Sequence, residues 1–124
     1  MSTSITKSYR DLIVWRKSVD LSVLVYELTE HFPRDERYAL TSQVRRAVVS
    51  IPSNIAEGRS RSTKKDFCNF LHIALGSAAE LETQIEIAKR ISKTEVLSYK
   101  VVESLLTEVM KMLHSLISKL EART

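Results

Sequence analysis

The 124-residue sequence contains only two glycines, two prolines and one cysteine. Sandwiches, barrels and doubly wound sheets need many tight turns, so this shortage of turn formers excludes them. A single cysteine cannot close an internal disulfide, which excludes a disulfide-stapled scaffold. Long apolar runs are missing too. No uncharged stretch approaches the ~20 residues of a membrane span, and Met1 to Ser8 lacks the apolar segment of a signal peptide. What is present is an ordinary globular mix, 44% hydrophobic and 27% charged, which argues against disorder. The expectation is one domain over residues 1–124, mostly helical and cytoplasmic, with no membrane contact.

The charge is concentrated. Nineteen basic residues against fifteen acidic ones give +4 overall. Between Arg34 and Lys65 lie Arg34, Arg37, Arg45, Arg46, Arg59, Arg61, Lys64 and Lys65, opposed only by Asp35, Glu36 and Glu57. This segment therefore carries +5 and the remainder −1. A local basic surface attracts phosphate polymers better than the same charge spread evenly.

Apolar residues recur at helical spacing almost throughout. Leu12, Trp15, Val19, Val23 and Tyr26 form one stripe, widened by Leu21, Leu24, Val25 and Leu28. Ser8 with Asp11 resembles a capping box, and Phe32-Pro33 ends the first helix. The second stripe is Leu40, Val44, Ala47, Val48, Ile51 and Ile55. Ala47 to Ile51 could pass for a strand on composition, but flanking heptad-like spacing favours helix. Pro52 implies either a kink or a junction of two helices. A kinked helix ending at Gly58, as a left-handed cap, is the preferred solution.

Thr63 with Asp66 forms the next capping box. The third helix is expected to bury Phe67, Phe70, Leu71, Ala74, Ala78, Leu81, Ile85 and Ala88. After Ser92-Lys93, Thr94 is the expected N-cap of a fourth helix burying Leu97, Val101, Leu105, Val109, Met112, Leu116 and Leu120. Helices over about 9–31, 36–58, 64–91 and 95–121 predict an all-α, antiparallel up-down-up-down four-helix bundle. Helix 4 also carries Val96, Val102, Leu106, Leu113 and Ile117, and helix 1 is similarly wide. Such arcs predict self-association.

Catalytic and metal constellations are thin. His31, His72 and His114 lie far apart, without a second ligand at helical spacing, so neither metal nor cofactor is expected. His72 is expected to sit near the core and Cys68 to be a buried, inert thiol. Gly58 and Gly76 stand alone and form no phosphate loop. Glu80 and Glu82 point to different faces. The chain is expected not to be an enzyme.

The run Ser50-Ile51-Pro52-Ser53-Asn54-Ile55-Ala56-Glu57-Gly58 resembles a known family. Val14-Trp15, Phe32-Pro33, Glu36 with Tyr38 and Leu40, Gln43 with Arg45-Arg46-Ala47, Phe70-Leu71, Gly76-Ser77 and Glu80 to Gln84 support the match. The sequence is similar to the bacterial four-helix-bundle proteins named for open reading frames within large-subunit rRNA intervening sequences. That resemblance implies a four-helix protomer and a ring-shaped homopentamer. It also implies a relation to accessory proteins of diversity-generating retroelements, which bind nucleic acid and a reverse transcriptase. It brings no established activity, so the family's function is unknown.

Two sets of polar residues stand out. Gln43, Arg46, Ser50, Asn54 and Glu57 follow one another along helix 2, and Asn69, His72, Gly76-Ser77, Glu80 and Gln84 along helix 3. A turn centred near residue 61 would set Ser50 opposite His72 and Arg46 one turn from Glu80, with Gly76 giving the guanidinium room. A register-fixing polar seam is preferred to a ligand contact. The other set is basic: Arg59, Arg61, Lys64 and Lys65 crowd the helix 2–helix 3 turn, and Arg45 points away from Arg46 toward solvent or a neighbouring subunit. Repeated around a ring, that end would form a positive belt suited to RNA or DNA backbones. Aromatic residues do not interleave with this patch, so sequence-specific stacking on single strands is not indicated. The expected function is a non-enzymatic oligomeric scaffold binding nucleic acid or a ribonucleoprotein partner. The alternative is a protein-binding adaptor with no nucleic-acid role.

Overall fold

A computed structural model describes residues 8–37 and 39–122. Met1 to Lys7, examined above for a signal peptide, and Tyr38 of the family pattern lie outside the described residues. Among the described residues, four long helices and no strand make the chain all-α, consistent with a four-helix bundle: α1 (Ile13–Thr29), α2 (Leu40–Arg59), α3 (Lys64–Ala88) and α4 (Lys100–Glu121). α2 packs on α1 and α3, and α4 closes against α3 and α1. Cross-helix contacts run antiparallel. Ser50 meets Ser77 while Gly58 meets Phe70, and Lys89 meets Glu103 while His72 meets Glu121. None of these helices is long and apolar enough to cross a membrane.

The helix boundaries differ from the expected ones for local reasons. Residues Tyr9–Asp11 form a separate 3₁₀ turn, because the Ser8 hydroxyl accepts the Arg10 N–H at 3.1 Å and Leu12 is extended. α1 therefore starts at Ile13 and ends at Thr29 rather than at residue 31. A second 3₁₀ turn, Arg34–Glu36, precedes α2, and Glu36 Oε1 accepts the Leu40 N–H at 3.3 Å. That carboxylate satisfies one of the free amides of the first turn. Thr63 caps α3 as its pattern suggests, accepting the Asp66 N–H at 3.1 Å.

Thr94 is not an N-cap. It is fully buried, its hydroxyl donates to the Ala88 carbonyl, and the Tyr99 hydroxyl donates to the Thr94 carbonyl at 2.8 Å. These bonds fold residues 89–99 onto the core and delay α4 to Lys100.

The core stripes also move. α1 buries Val14, Ser18, Leu21, Val25 and Thr29, leaving Val23 and Tyr26 exposed. Ser18 and Thr29 enter because their hydroxyls donate to Trp15 and Val25 carbonyls, each at 2.8 Å, and leave nothing unpaired. α4 buries Val102, Leu106, Val109, Leu113 and Ile117, so four residues counted as an outer excess are its core. Val101 is 64% exposed instead. Four of the five residues of that wide arc therefore supply packing, while Val96 is 82% exposed.

Pro52 lies inside an unbroken α2 and is buried. Proline removes the hydrogen bond that would reach the Val48 carbonyl. The Ser22 hydroxyl of α1 lies 3.3 Å from that oxygen, sharing its proton with Ser18 O at 2.9 Å. A neighbouring helix thus partly satisfies the orphaned acceptor.

Gly58 is not a left-handed cap either, since no described glycine has positive φ. It is buried inside α2, where an added Cβ would lie 2.6 Å from Phe70 Cβ and 3.2 Å from the Phe67 carbonyl. Gly76 has nothing within 4 Å of the same position. Gly58→Ala should therefore destabilise the fold by about 1–3 kcal/mol through overpacking, whereas Gly76→Ala should stabilise it by about 0.5–1 kcal/mol. Urea denaturation of both variants checks the opposite signs.

Candidate functional site

The expected polar seam is only partly present. Arg46 donates to Ser42 Oγ at 2.8 Å and is exposed, while Glu80 accepts a 3.5 Å bond from Gln84. They do not pair. Ser50 meets Ser77 at 2.8 Å rather than His72, and Asn54 Nδ2 donates to Ser50 Oγ and to its carbonyl. His72 is exposed instead of near-core and lies 3.0 Å from Glu121 of α4. Gln43 is exposed, and Gln84 is buried with its Oε1 lacking a partner.

The register explains the miss. Observed partners across α2 and α3 have numbers adding to 125–128, against the expected 122. Residues 60–62 carry the chain onward past the end of α2, and it reverses only at Thr63.

Arg45 also differs from its expected outward role. Its Nε donates to Thr29 Oγ1 at 2.8 Å, its Nη2 lies 3.3 Å from both the Tyr26 carbonyl and Glu30, and its guanidinium covers the Tyr26 ring at 4.5 Å. It fastens α2 to α1.

The α2–α3 turn is built differently. Arg59 ends α2 and is half-buried. Arg61 pairs with Glu57 at 2.8 Å and lies over the Phe70 ring at 4.9 Å. Lys64 and Lys65 open α3, are exposed, and make no ion pair among the described residues. The first turn of α3 presents amide groups, one of which Thr63 already caps. Asp66 places a carboxylate in that turn. Four cations therefore surround one end of the bundle, two of them with unspent charge.

The same end holds residues that sequence order concealed. α1 runs antiparallel to α2: Ser22 reaches Val48 and Thr29 meets Arg45. The start of α1 and the 3₁₀ turn at residues 9–11 therefore lie beside the end of α2, and that turn packs on α2. Tyr9, Arg10 and Trp15 belong to this end. Their common sequence signal, a cation between two aromatics, is visible only once the antiparallel pairing is drawn.

No group of three or more metal-ligating side chains gathers among the described residues. Cys68 is buried, and burial chiefly holds its thiol above the ordinary 9.0, aided by Glu121 and opposed by Lys64. A thiolate is the nucleophile, so this shift opposes reactivity.

An all-helical protein with a basic turn and no clustered catalytic groups among its described residues defines a class, not an activity. The chain belongs to the 23S rRNA-intervening sequence protein family, whose model matches residues 10–115. A crystal structure from Bacteroides thetaiotaomicron, described as a protein of unknown function from the S23 ribosomal protein family, is similar. It is 30% identical, with a TM-score of 0.75 over 85% of this chain and 98% of that chain. No curated protein matches.

The raised Cys68 group has a pH consequence. Its folded pKa lies above the unfolded value, so its contribution is present below about pH 9 and lost as pH rises through the folded pKa. Tyr99, also raised mainly by burial, adds a second loss beginning near its ordinary 10.0. Urea midpoints should fall above pH 9, and Cys68→Ala should remove the earlier part of that fall.

Proposed function

We propose that this protein is a non-enzymatic helical scaffold that binds the phosphate backbone of RNA or DNA through the α2–α3 end. The observation that carries this is the pair Lys64 and Lys65, which lie beside Arg59 and Arg61, are exposed, and make no ion pair among the described residues. Exposed lysines keep their hydration and mobility until an anion displaces counterions, which is how salt-sensitive backbone binding arises. Arg61 contributes less freely, because Glu57 already neutralises it. Arg45 takes no part, since its guanidinium holds α1 and α2 together.

Replacing Lys64 and Lys65 by alanine should lower the log–log salt slope of duplex binding by about 1.8 per engaged protomer, and extending the change to Arg59 and Arg61 should lower it by about 3–4. Stability should change by less than about 0.5 kcal/mol in the double variant. Unchanged affinity and slope in a folded quadruple variant would favour the protein-binding adaptor instead.

The scaffold reading includes self-association, with a homopentamer as the family resemblance implies. Its support in the protomer is an exposed apolar strip of Val23, Tyr26 and Val49 where α1 meets α2. Large exposed apolar side chains gathered in a groove are characteristic of interfaces. Val23→Asp with Val49→Asp should reduce the mass measured by light scattering at micromolar concentration to that of a monomer. A wild-type mass of 14.2 kDa at that concentration would remove the oligomer from the proposal.

A further inference from the structure

We propose that the basic end is a site for unpaired nucleotides, with bases stacking on a preformed cluster of Tyr9, Arg10 and Trp15. This rests on the phosphate-binding reading above and adds what would be bound beside the phosphates. Tyr9 and Trp15 meet edge to face, with ring centroids 5.1 Å apart and planes at 62°. The Arg10 guanidinium lies 5.4 Å from the Trp15 ring and 5.8 Å from the Tyr9 ring. Arg10 is exposed and both rings are half-exposed.

The partly buried Trp15 ring packs against the core, and backbone contacts hold the turn beside it. Ser8 Oγ accepts the Arg10 N–H, and Arg16 Nη1 donates to the Arg10 carbonyl at 3.1 Å. These bonds fix the Arg10 backbone on both sides, so that only its side chain remains to be ordered when it serves as a platform. Guanidinium planes and aromatic faces both accept stacked bases, and every base has such a face.

Position links this platform to the phosphate-binding cations. Numbers across α1 and α2 add to 70 for Ser22 with Val48 and to 74 for Thr29 with Arg45. Trp15 therefore lies level with residues 55–59 of α2, and the turn Tyr9–Asp11, which precedes α1 and packs on α2, lies toward the same end. Trp15 also shares the α2-facing stripe of α1 with Ser22, seven residues on. The stacking surfaces and Lys64-Lys65 occupy one end of the molecule. A duplex hides its base faces, so only an unpaired strand can use both features together.

Trp15 is the sole tryptophan, so its emission reports directly on the site. The full-length protein is titrated with a twenty-residue oligothymidylate, an abasic deoxyribose-phosphate strand of equal length, and a twenty-base-pair duplex. The thymidylate strand should quench Trp15 and bind about tenfold or more tightly than the abasic strand, as one or two stacked bases would give. Tyr9→Ala with Arg10→Ala should abolish that preference while leaving abasic binding within severalfold of wild type. Arg10→Lys keeps the charge without the plane, and it should weaken the preference without changing the salt slope.

Equal binding of thymidylate and abasic strands, with no change in Trp15 emission, would overturn the stacking site while leaving backbone binding intact. Failure to bind any of the three strands would overturn both proposals. Circular dichroism confirms that each variant is folded.

Discussion

The close approach of α2 and α3 governs this structure. At Gly58 the two helices are near enough that a single methyl group would meet the Phe70 side chain and the Phe67 backbone. Further along the same interface Ser50 and Ser77 touch, and both are small. Small residues at the crossing let Ile51, Ile55, Leu71 and Ala74 bury completely between the helices. Once α2 and α3 are fixed at this distance, the turn between them must reverse at Thr63, and Lys64 and Lys65 must emerge at its tip. The placement of the charged end follows from packing at a glycine.

α1 is tied to the same α2 scaffold by polar means. Pro52 frees a carbonyl at Val48, and the Ser22 hydroxyl approaches it. One turn earlier in α2, Arg45 reaches back across α1 to Thr29, Tyr26 and Glu30. Each contact by itself contributes modestly, because solvent competes for exposed donors and acceptors. Together they set the antiparallel register that carries Tyr9, Arg10 and Trp15 to the end of α2. α4 is held by its apolar stripe and the peripheral pairs Lys17–Glu108, Lys89–Glu103 and His72–Glu121.

The helical class and the stripe of α2 were legible because Val44, Ala47, Val48, Ile51 and Ile55 alternate cleanly with polar residues. The stripe of α1 was not, because Ser18 and Thr29 hide their hydroxyls in the helix's own hydrogen bonds and so count as core despite their polarity. α4 misled in the opposite sense. It has apolar residues on adjacent rows, and periodicity alone cannot say which row faces inward; Val101 and Val102 differ by one position and have opposite fates. The start of α4 depended on Thr94, whose local spacing suits a cap but whose buried hydroxyl serves the Ala88 carbonyl six residues back. The Arg46–Glu80 pairing failed for geometric reasons. An error of five in the sum of facing positions moves a partner by more than a helical turn, and a charged pair is more sensitive to that than an apolar one.

The distribution of polarity that results is consistent from interior to surface. Between α2 and α3 the seam is neutral and short, Ser50 with Asn54 and Ser77, and it costs far less to desolvate than an ion pair would. Charged residues are pushed to the ends and outer faces, where water and salt screen them. Some of them find a partner there, as Arg61 does in Glu57, Arg90 in Glu86 and Lys93 in Asp35. Lys64 and Lys65 make no ion pair among the described residues, and like Lys100 of α4 they sit where a helix begins. A lysine in the first turn of a helix opposes the macrodipole, costing a few tenths of a kcal/mol that glutamate there would gain. An acidic residue in the same first turn offsets part of that cost, Asp66 in α3 and Glu103 where Lys100 opens α4, so the cation at a helix start is balanced locally by a carboxylate within one turn.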